Sequence, residues 1–449
     1  MWLPAFLLAL AILVVVHEYG HYRVAKACGV KVLRFSVGFG PVLWRRQAAG
    51  PDATEFTICA VPMGGYVRML DESDGPVAPH EAERAFNRRP LWQRMAVVVA
   101  GPVANLLLAA LLLAVLAWWG GEVSVARVGT PPVGSLAAQA GLRAGDEVRA
   151  TSIDGQAWEP LVSLSELMGR SVEAGALGHG LMLDLGSRQV RLNTERAAPD
   201  APDAVPLGLG PYIEPILAEP EAGQAGAKAG LHKGDRVLSI DGSTVTDWMA
   251  LVAKVQASVS DTQARTMQWQ VARAGQILTL SVTPAVVTEK GRTFGRVGVG
   301  FDGGPKLVFV RAGPLEGLGQ GVRETGHLAR FTLQMIAKML SGQASLKNLS
   351  GPITMADYAG QAAKAGVDVY LGFLALVSVS LGVLNLLPVP MLDGGHLMYY
   401  LFEGLTGRPV SEWWQRQLQR VGALLLLLMM VLALSNDVSQ QLSKLTGLL

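Results

Sequence analysis

The chain has 449 residues, 50% of them hydrophobic and 16% charged, with a mean hydropathy of +0.32. Soluble domains carry roughly 25% charged residues, so composition excludes an ordinary soluble protein and, equally, a disordered one. A formal net charge of +2 gives no footing for nucleic acid, and two cysteines, Cys28 and Cys59, cannot build a disulfide framework.

The apolar excess falls in blocks. Residues 2–16 carry no charge and run into HEYGH, which begins at His17. With no basic leader and no small-residue cleavage site, this block reads as a span and not as a secretory signal. Continued to Ala27, it reaches the roughly 20 residues that a bilayer requires, so residues 1–27 are expected as the first span. On a helix, positions i and i+4 share a face. HExxH therefore aims His17 and His21 at one metal, while Glu18 can reach a metal-bound water. His17 lies about 22 Å along the helix from Trp2, at 1.5 Å per residue. Two histidines and a glutamate inside an apolar zone are costly, and such residues are read as functional.

Residues 28–94 are rich in arginine and lysine, which places them on the cytoplasmic side. Within them, 34–44 and 54–69 read as short strands punctuated by Gly and Pro. Their apolar content suggests a hairpin or sheet that dips into the bilayer edge, where backbone must be covered by protein or line a wet cavity. Gly64-Gly65 marks a place where another backbone can come close. Residues 95–119 contain no ionisable side chain and form the second expected span.

The long segment that follows holds an internal repeat. AGLRAGDEV begins at Ala140 and AGLHKGDRV at Ala229, 89 residues apart. Asp154-Gly155 and Asp241-Gly242 follow as turns. Each copy reads as strand, short helix, Gly-Asp turn, strand, Asp-Gly turn, strand, giving two small domains at 121–207 and 208–302. The pattern resembles PDZ domains, which take an extended peptide as an added strand; inert spacers are the alternative. Gly298-x-Gly300-x-x-Gly303 matches a dinucleotide fingerprint, but it closes a β-rich domain and no amphipathic helix follows. Residues 303–366 include an amphipathic stretch at 320–345, with Leu328, Phe331, Met335 and Met339 in phase. That stretch suits a helix on the outer membrane surface or one packed against protein.

Residues 367–388 are the third expected span, 389–417 a cytoplasmic-side loop, 418–435 the fourth span and 436–449 a tail. The Lys/Arg bias puts both termini and the 120–366 segment outside. Spans one and three then run in the same direction. At the inner end of span three stands NLLPVPMLDGGH, residues 385–396. A hydrolytic zinc keeps three protein ligands and one open position. Asp393 is the acid at that depth, with His396 a rival ligand three residues on.

HExxH in the first span with Asn-x-x-Pro-x-Pro-x-Leu-Asp-Gly in a later one resembles the site-2 proteases, a family of intramembrane zinc metalloproteases. GFGP at 38–41, PMGGYVRM at 62–69, GPVAN at 101–105, NLSGPI at 348–353 and the tandem insert are similar to the regulator-of-sigma-E branch of that family. The resemblance covers essentially the whole chain. It implies a polytopic α-helical membrane protein of the bacterial inner membrane, with four transmembrane helices, a membrane-associated β-hairpin or sheet and two periplasmic PDZ-like α/β domains. It also implies that His17, His21 and Asp393 bind Zn2+, that Glu18 is the catalytic acid/base and that Asn385 lies beside the substrate strand. An edge strand near Gly64 and Gly65 would hold the unwound substrate by strand addition. The implied substrates are a single-span anti-sigma factor in envelope-stress signalling, trimmed outside first, and remnant signal peptides. A metal transporter would need ligands along several spans, and a catalytically dead chaperone would tolerate loss of Glu18 or a ligand; the sequence fits neither.

Overall fold

A computed structural model describes residues 2–47, 50, 53–155, 157–197, 205–260, 263–289, 292–342 and 351–446. Residues 348–350 of the NLSGPI stretch, and 343–345 of the amphipathic stretch, lie outside the described residues. The chain divides into two compact units, Gly121–Val310 and the residues on either side of it.

The flanking unit begins with helix α1, Trp2–Ala27. Strands β1, Val32–Gln47, and β2, Glu55–Met69, follow and pair through repeated bulges. Residues 34–37 register against both 65–68 and 55–58, and 55–58 register in turn against 44–47. Two bent strands thus supply four ranks, with 65–68 and 44–47 at the edges. Gly38 and Gly40, both at φ +85, permit the bends. Leu43, Trp44, Ile58 and Val61 stand exposed on this hairpin, an apolar patch of the kind that marks a membrane or partner contact.

Helix α2 spans Leu91–Trp119. It starts earlier than the 95–119 block because Pro90, which has no N–H to donate, occupies the N-cap position. A Cβ at Gly20 of α1 would collide with the backbone carbonyl of Ala100 in α2. Glycine there lets the two helix backbones approach, the usual means by which apolar helices associate.

In the Gly121–Val310 unit, β3, Gly121–Ser124, opens the chain. The first repeat supplies α3, Leu136–Gln139; β4, Ala150–Ile153; β5, Glu159–Pro160; α4, Leu164–Ala176; β6, Leu181–Asp184; and β7, Gln189–Leu192. Its sheet order is β5-β4-β6-β7. The second repeat supplies α5, Ala225–Lys228; β8, Arg236–Ile240; β9, Ser243–Thr244; and α6, Trp248–Gln256. After the short β10, Val259–Ser260, and β11, Gln263–Ala264, come β12, Met267–Arg273, and β13, Gln276–Val282. The order β13-β12-β8-β9 repeats the first arrangement. A hairpin of β14, Ala285–Glu289, and β15, Arg292–Arg296, follows, and β16, Leu307–Val310, pairs with β3 to close the unit.

The repeated Gly-Asp motif is a structural tie. Asp146 Oδ2 accepts from the Arg143 amide and from Arg188, each at 2.9 Å. Asp235 does the same with the His232 amide at 2.9 Å and a two-pronged Arg273 at 2.7 and 2.6 Å. Burial would raise the Asp235 pKa, but the Arg273 pair outweighs it and holds the carboxyl below its ordinary value. Asp154-Gly155 and Asp241-Gly242 all take positive φ, as a tight hairpin turn requires. The copies are joined by Asp247, which caps α6 and accepts from Thr130, and by Arg127 stacked 4.0 Å over the Tyr212 ring.

The flanking unit resumes with α7, Pro314–Leu340; α8, Pro352–Ala365; α9, Val367–Leu386; α10, Asp393–Thr406; and α11, Glu412–Thr446. Among the described residues, four helices are long and apolar enough to cross a membrane: Leu3–Ala27, Leu91–Trp119, Val367–Leu386 and Trp413–Val438. The fourth outruns the expected 418–435. The amphipathic α7 buries its small-residue face, Gly317, Gly321 and Thr325, with Gly317 and Gly321 against Trp118 and Ala114 of α2. Buried Asp437 of α11 accepts from the Gly351 and Ile353 amides at 3.0 and 2.9 Å and caps α8.

Candidate metal centre

The two imidazoles of α1 and the first residue of α10 meet. His17 Nε2 lies 3.1 Å and His21 Nε2 3.5 Å from Asp393 Oδ2. The two Nε2 atoms are 3.2 Å apart. Ligands held about 2.0–2.1 Å from a tetrahedral zinc stand about 3.3 Å from one another, so these three atoms form one face of such a tetrahedron. Two imidazoles and a carboxylate are also the donor types that zinc takes. His17 and His21 are buried, at 9% and 8% exposure, and their Nε2 atoms turn toward each other and toward Asp393 Oδ2. The fit to a divalent metal is therefore good in both chemistry and spacing.

Neighbouring elements set this geometry. Val97 of α2 gives its carbonyl to His21 Nδ1 at 2.8 Å, which leaves the Nε2 lone pair facing the cluster. A Cβ at Gly101 would run into the His21 ring, so glycine there makes room for the ligand. Asp393 opens α10 directly after the Pro388-Val-Pro390-Met391-Leu392 turn, in which Met391 adopts φ 86. Positive φ on a non-glycine residue is strain that the surroundings must hold. Gly394 and Gly395 admit the backbone of residues 386–390 that a Cβ would strike. Arg94 grips Glu403 of α10 with both guanidinium nitrogens, at 3.1 and 2.5 Å, and lies over the Tyr400 ring. That anchors α10 to α2.

Glu18 directly follows His17 on α1. Gly65, on the edge rank of β2, sits against the same helix: a Cβ there would meet Ser36 O, Val14 Cγ1 and Glu18 Cγ at 2.8, 2.9 and 3.0 Å. Gly64, at φ +124, faces the Phe39 ring instead. Asn385 lies in the last turn of α9, and His396 packs on Tyr399 with ring centroids 5.9 Å apart and is not among the grouped donors. Among the described residues, His17, His21 and Asp393 form the one potential metal-holding group.

Gly65→Val is expected to lower peptide hydrolysis by about 100-fold, because displacing a catalytic group by roughly 1 Å costs that much. Zinc content and hydrolysis measured on the same preparation check this. A wild-type rate would mean that the contact with Glu18 is slack.

Sequence reasoning gave no role at the site to Val97, Arg94 or Glu403, nor to Asn105 beyond its place in GPVAN. A signal for Val97 and Asn105 existed: Val97, Gly101 and Asn105 recur every four residues and so share the face of α2 that meets α1.

Comparison with known proteins covers nearly the whole chain. The profile of peptidase family M50 matches residues 5–429. A Ralstonia nicotianae protein named as a candidate zinc metalloprotease is 44% identical, over 97% of this chain and 98% of that protein. The regulator of sigma-E protease RseP of Salmonella typhimurium is 39% identical, and that of Escherichia coli 38%, each over 98% of both chains. With that match in length and the HExxH cluster assembled inside an apolar helix, the chain belongs to peptidase family M50 and is a metalloprotease.

Proposed function

We propose that this peptidase hydrolyses a peptide bond within the membrane segment of single-span proteins, using Zn2+ held by His17, His21 and Asp393. The observation that carries the reading is the three-donor face, with Glu18 beside it, built into a helix apolar enough to span a bilayer. When bound, zinc supplies a Lewis acid that polarises the scissile carbonyl and lowers the pKa of the attacking water. Glu18 takes the proton from that water and returns it to the leaving amine. The substrate helix hides its carbonyls in its own hydrogen bonds, so it must unwind before attack. The 65–68 edge rank of β2, next to Glu18, offers backbone to pair with an unwound strand, and Asn385 contacts that strand.

In this reading the protein lies in the bacterial inner membrane. Residues 28–94 and 389–417 face the cytoplasm, and Gly121–Val310 lies in the periplasm. The exposed apolar tip of β1 and β2 enters the bilayer. The two repeats are PDZ-like domains; a groove of about 350 Å3 lined by Trp248, Leu251, Val255 and Val297 in the second copy suits an extended apolar peptide. Likeness to the regulator of sigma-E proteases points to an anti-sigma factor, already trimmed in the periplasm, and to remnant signal peptides as substrates.

The repeats then act as a size filter, because they fall in the chain between spans two and three, in the segment read as periplasmic. β3 and β16 pair at the ends of this unit, so residues 121–310 can be removed by joining Gly120 to Arg311. Intact enzyme in membranes is expected to cut a short-ectodomain substrate and spare an untrimmed one; the deletion variant is expected to cut both. Failure of the intact enzyme to cut the trimmed substrate would sink the proposed function. Rejection of the untrimmed substrate by a folded, inserted deletion variant would sink the filter alone.

A further inference from the structure

The face of α2 that supports His21 also carries an unassigned residue against His17. Asn105 is fully buried, with its side-chain amide 3.3 Å from His17 Nδ1. The contact is drawn with Asn105 Nδ2 facing Nδ1, while Asn105 Oδ1 is buried with no partner. The oxygen and nitrogen of an amide are distinguished only by their hydrogen bonds. If His17 Nε2 is a ligand, its lone pair faces the metal and the ring proton must sit on Nδ1. An Nδ1–H cannot accept from an amide N–H, so the orientation with Nδ2 against Nδ1 conflicts with metal binding. A half-turn of the amide removes the conflict by bringing Oδ1 to accept the Nδ1 proton.

We infer that Asn105 is a positioning residue for the metal centre: its Oδ1 accepts from His17 Nδ1 and fixes the tautomer and ring orientation that direct Nε2 to the metal. This rests on the metal assignment proposed above. α2 then serves both histidines alike, with the Val97 carbonyl for His21 and the Asn105 amide for His17. The order is antiparallel: Val97 precedes Asn105 on α2, while its partner His21 follows His17 on α1. The residue is itself held, because its backbone carbonyl accepts from Ser378 of α9 at 2.7 Å. Supporting acceptors of this kind are worth about 10–100-fold in metal affinity.

The test is zinc affinity, measured by chelator competition on full-length detergent-purified protein, for wild type, Asn105→Leu and Asn105→Asp. Leucine preserves bulk and removes the acceptor; aspartate preserves the acceptor. The expected result is that Asn105→Leu binds zinc at least about tenfold more weakly than both wild type and Asn105→Asp. Any smaller gap between Asn105→Leu and either of the others overturns the inference, since a packing role alone would favour leucine over aspartate. Thermal unfolding of the metal-free proteins checks folding. Should the leucine protein not fold, Asn105→Ala, which removes the acceptor without adding bulk, takes its place. Wild-type protein that binds no zinc would sink the metal assignment and this inference with it, whereas zinc-binding wild type with too small a gap sinks the inference alone.

Discussion

Glu18→Gln is expected to bind zinc at the wild-type level and to lose hydrolysis by about 100- to 10,000-fold, the range for removing a general acid/base. Glutamine keeps the size of the side chain beside Gly65 and leaves His17, His21 and Asp393 untouched. It cannot take a proton from water. Zinc per chain and cleavage, determined on one preparation, separate the two effects. Cleavage at the wild-type rate would remove Glu18 from the chemistry, and loss of zinc would make it a ligand or a support.

His17→Ala, His21→Ala and Asp393→Ala are each expected to weaken zinc binding by about 3 kcal/mol, roughly 100-fold, a quarter of what a four-ligand site contributes. His396→Ala is expected to leave binding unchanged, because that ring packs on Tyr399 and lies outside the donor group. The contrast matters more than any single loss. An Asp393→Ala protein with full zinc, or a His396→Ala protein without it, would assign the third ligand differently.

What could be read from the sequence was what local pattern dictates. The apolar blocks that became α1, α2 and α9 announce themselves by composition, and HExxH needs only the helix repeat to place two imidazoles together. Asp393 could be approached through topology, since spans one and three run the same way. The choice between Asp393 and His396 could not, because it depends on how Gly394, Gly395 and the Met391 turn orient α10. The strands were legible at 34–44 and 54–69, but their doubled register was not; it arises from bulges set by long-range pairing. For α7 the apolar residues Leu328, Phe331, Met335 and Met339 drew attention, and Leu328 does pack against Ala109, Val379 and Val383, but the fully buried positions are Gly317, Gly321 and Thr325. Small residues bury by admitting a neighbour's backbone, which hydropathy does not register. Asn105 was read only as the last residue of GPVAN, without a role: it is uncharged, so its cost inside an apolar span shows only once His17 stands against it.

The central claim is metal-dependent cutting inside a membrane segment. It is tested most directly by incubating purified protein with a single-span substrate, before chelation, after chelation and after zinc is restored, and mapping the products by mass spectrometry. The account predicts cleavage within the apolar segment that disappears on chelation and returns with zinc. Cleavage that persists without metal, or that falls only in the polar flanks of the substrate, would contradict it.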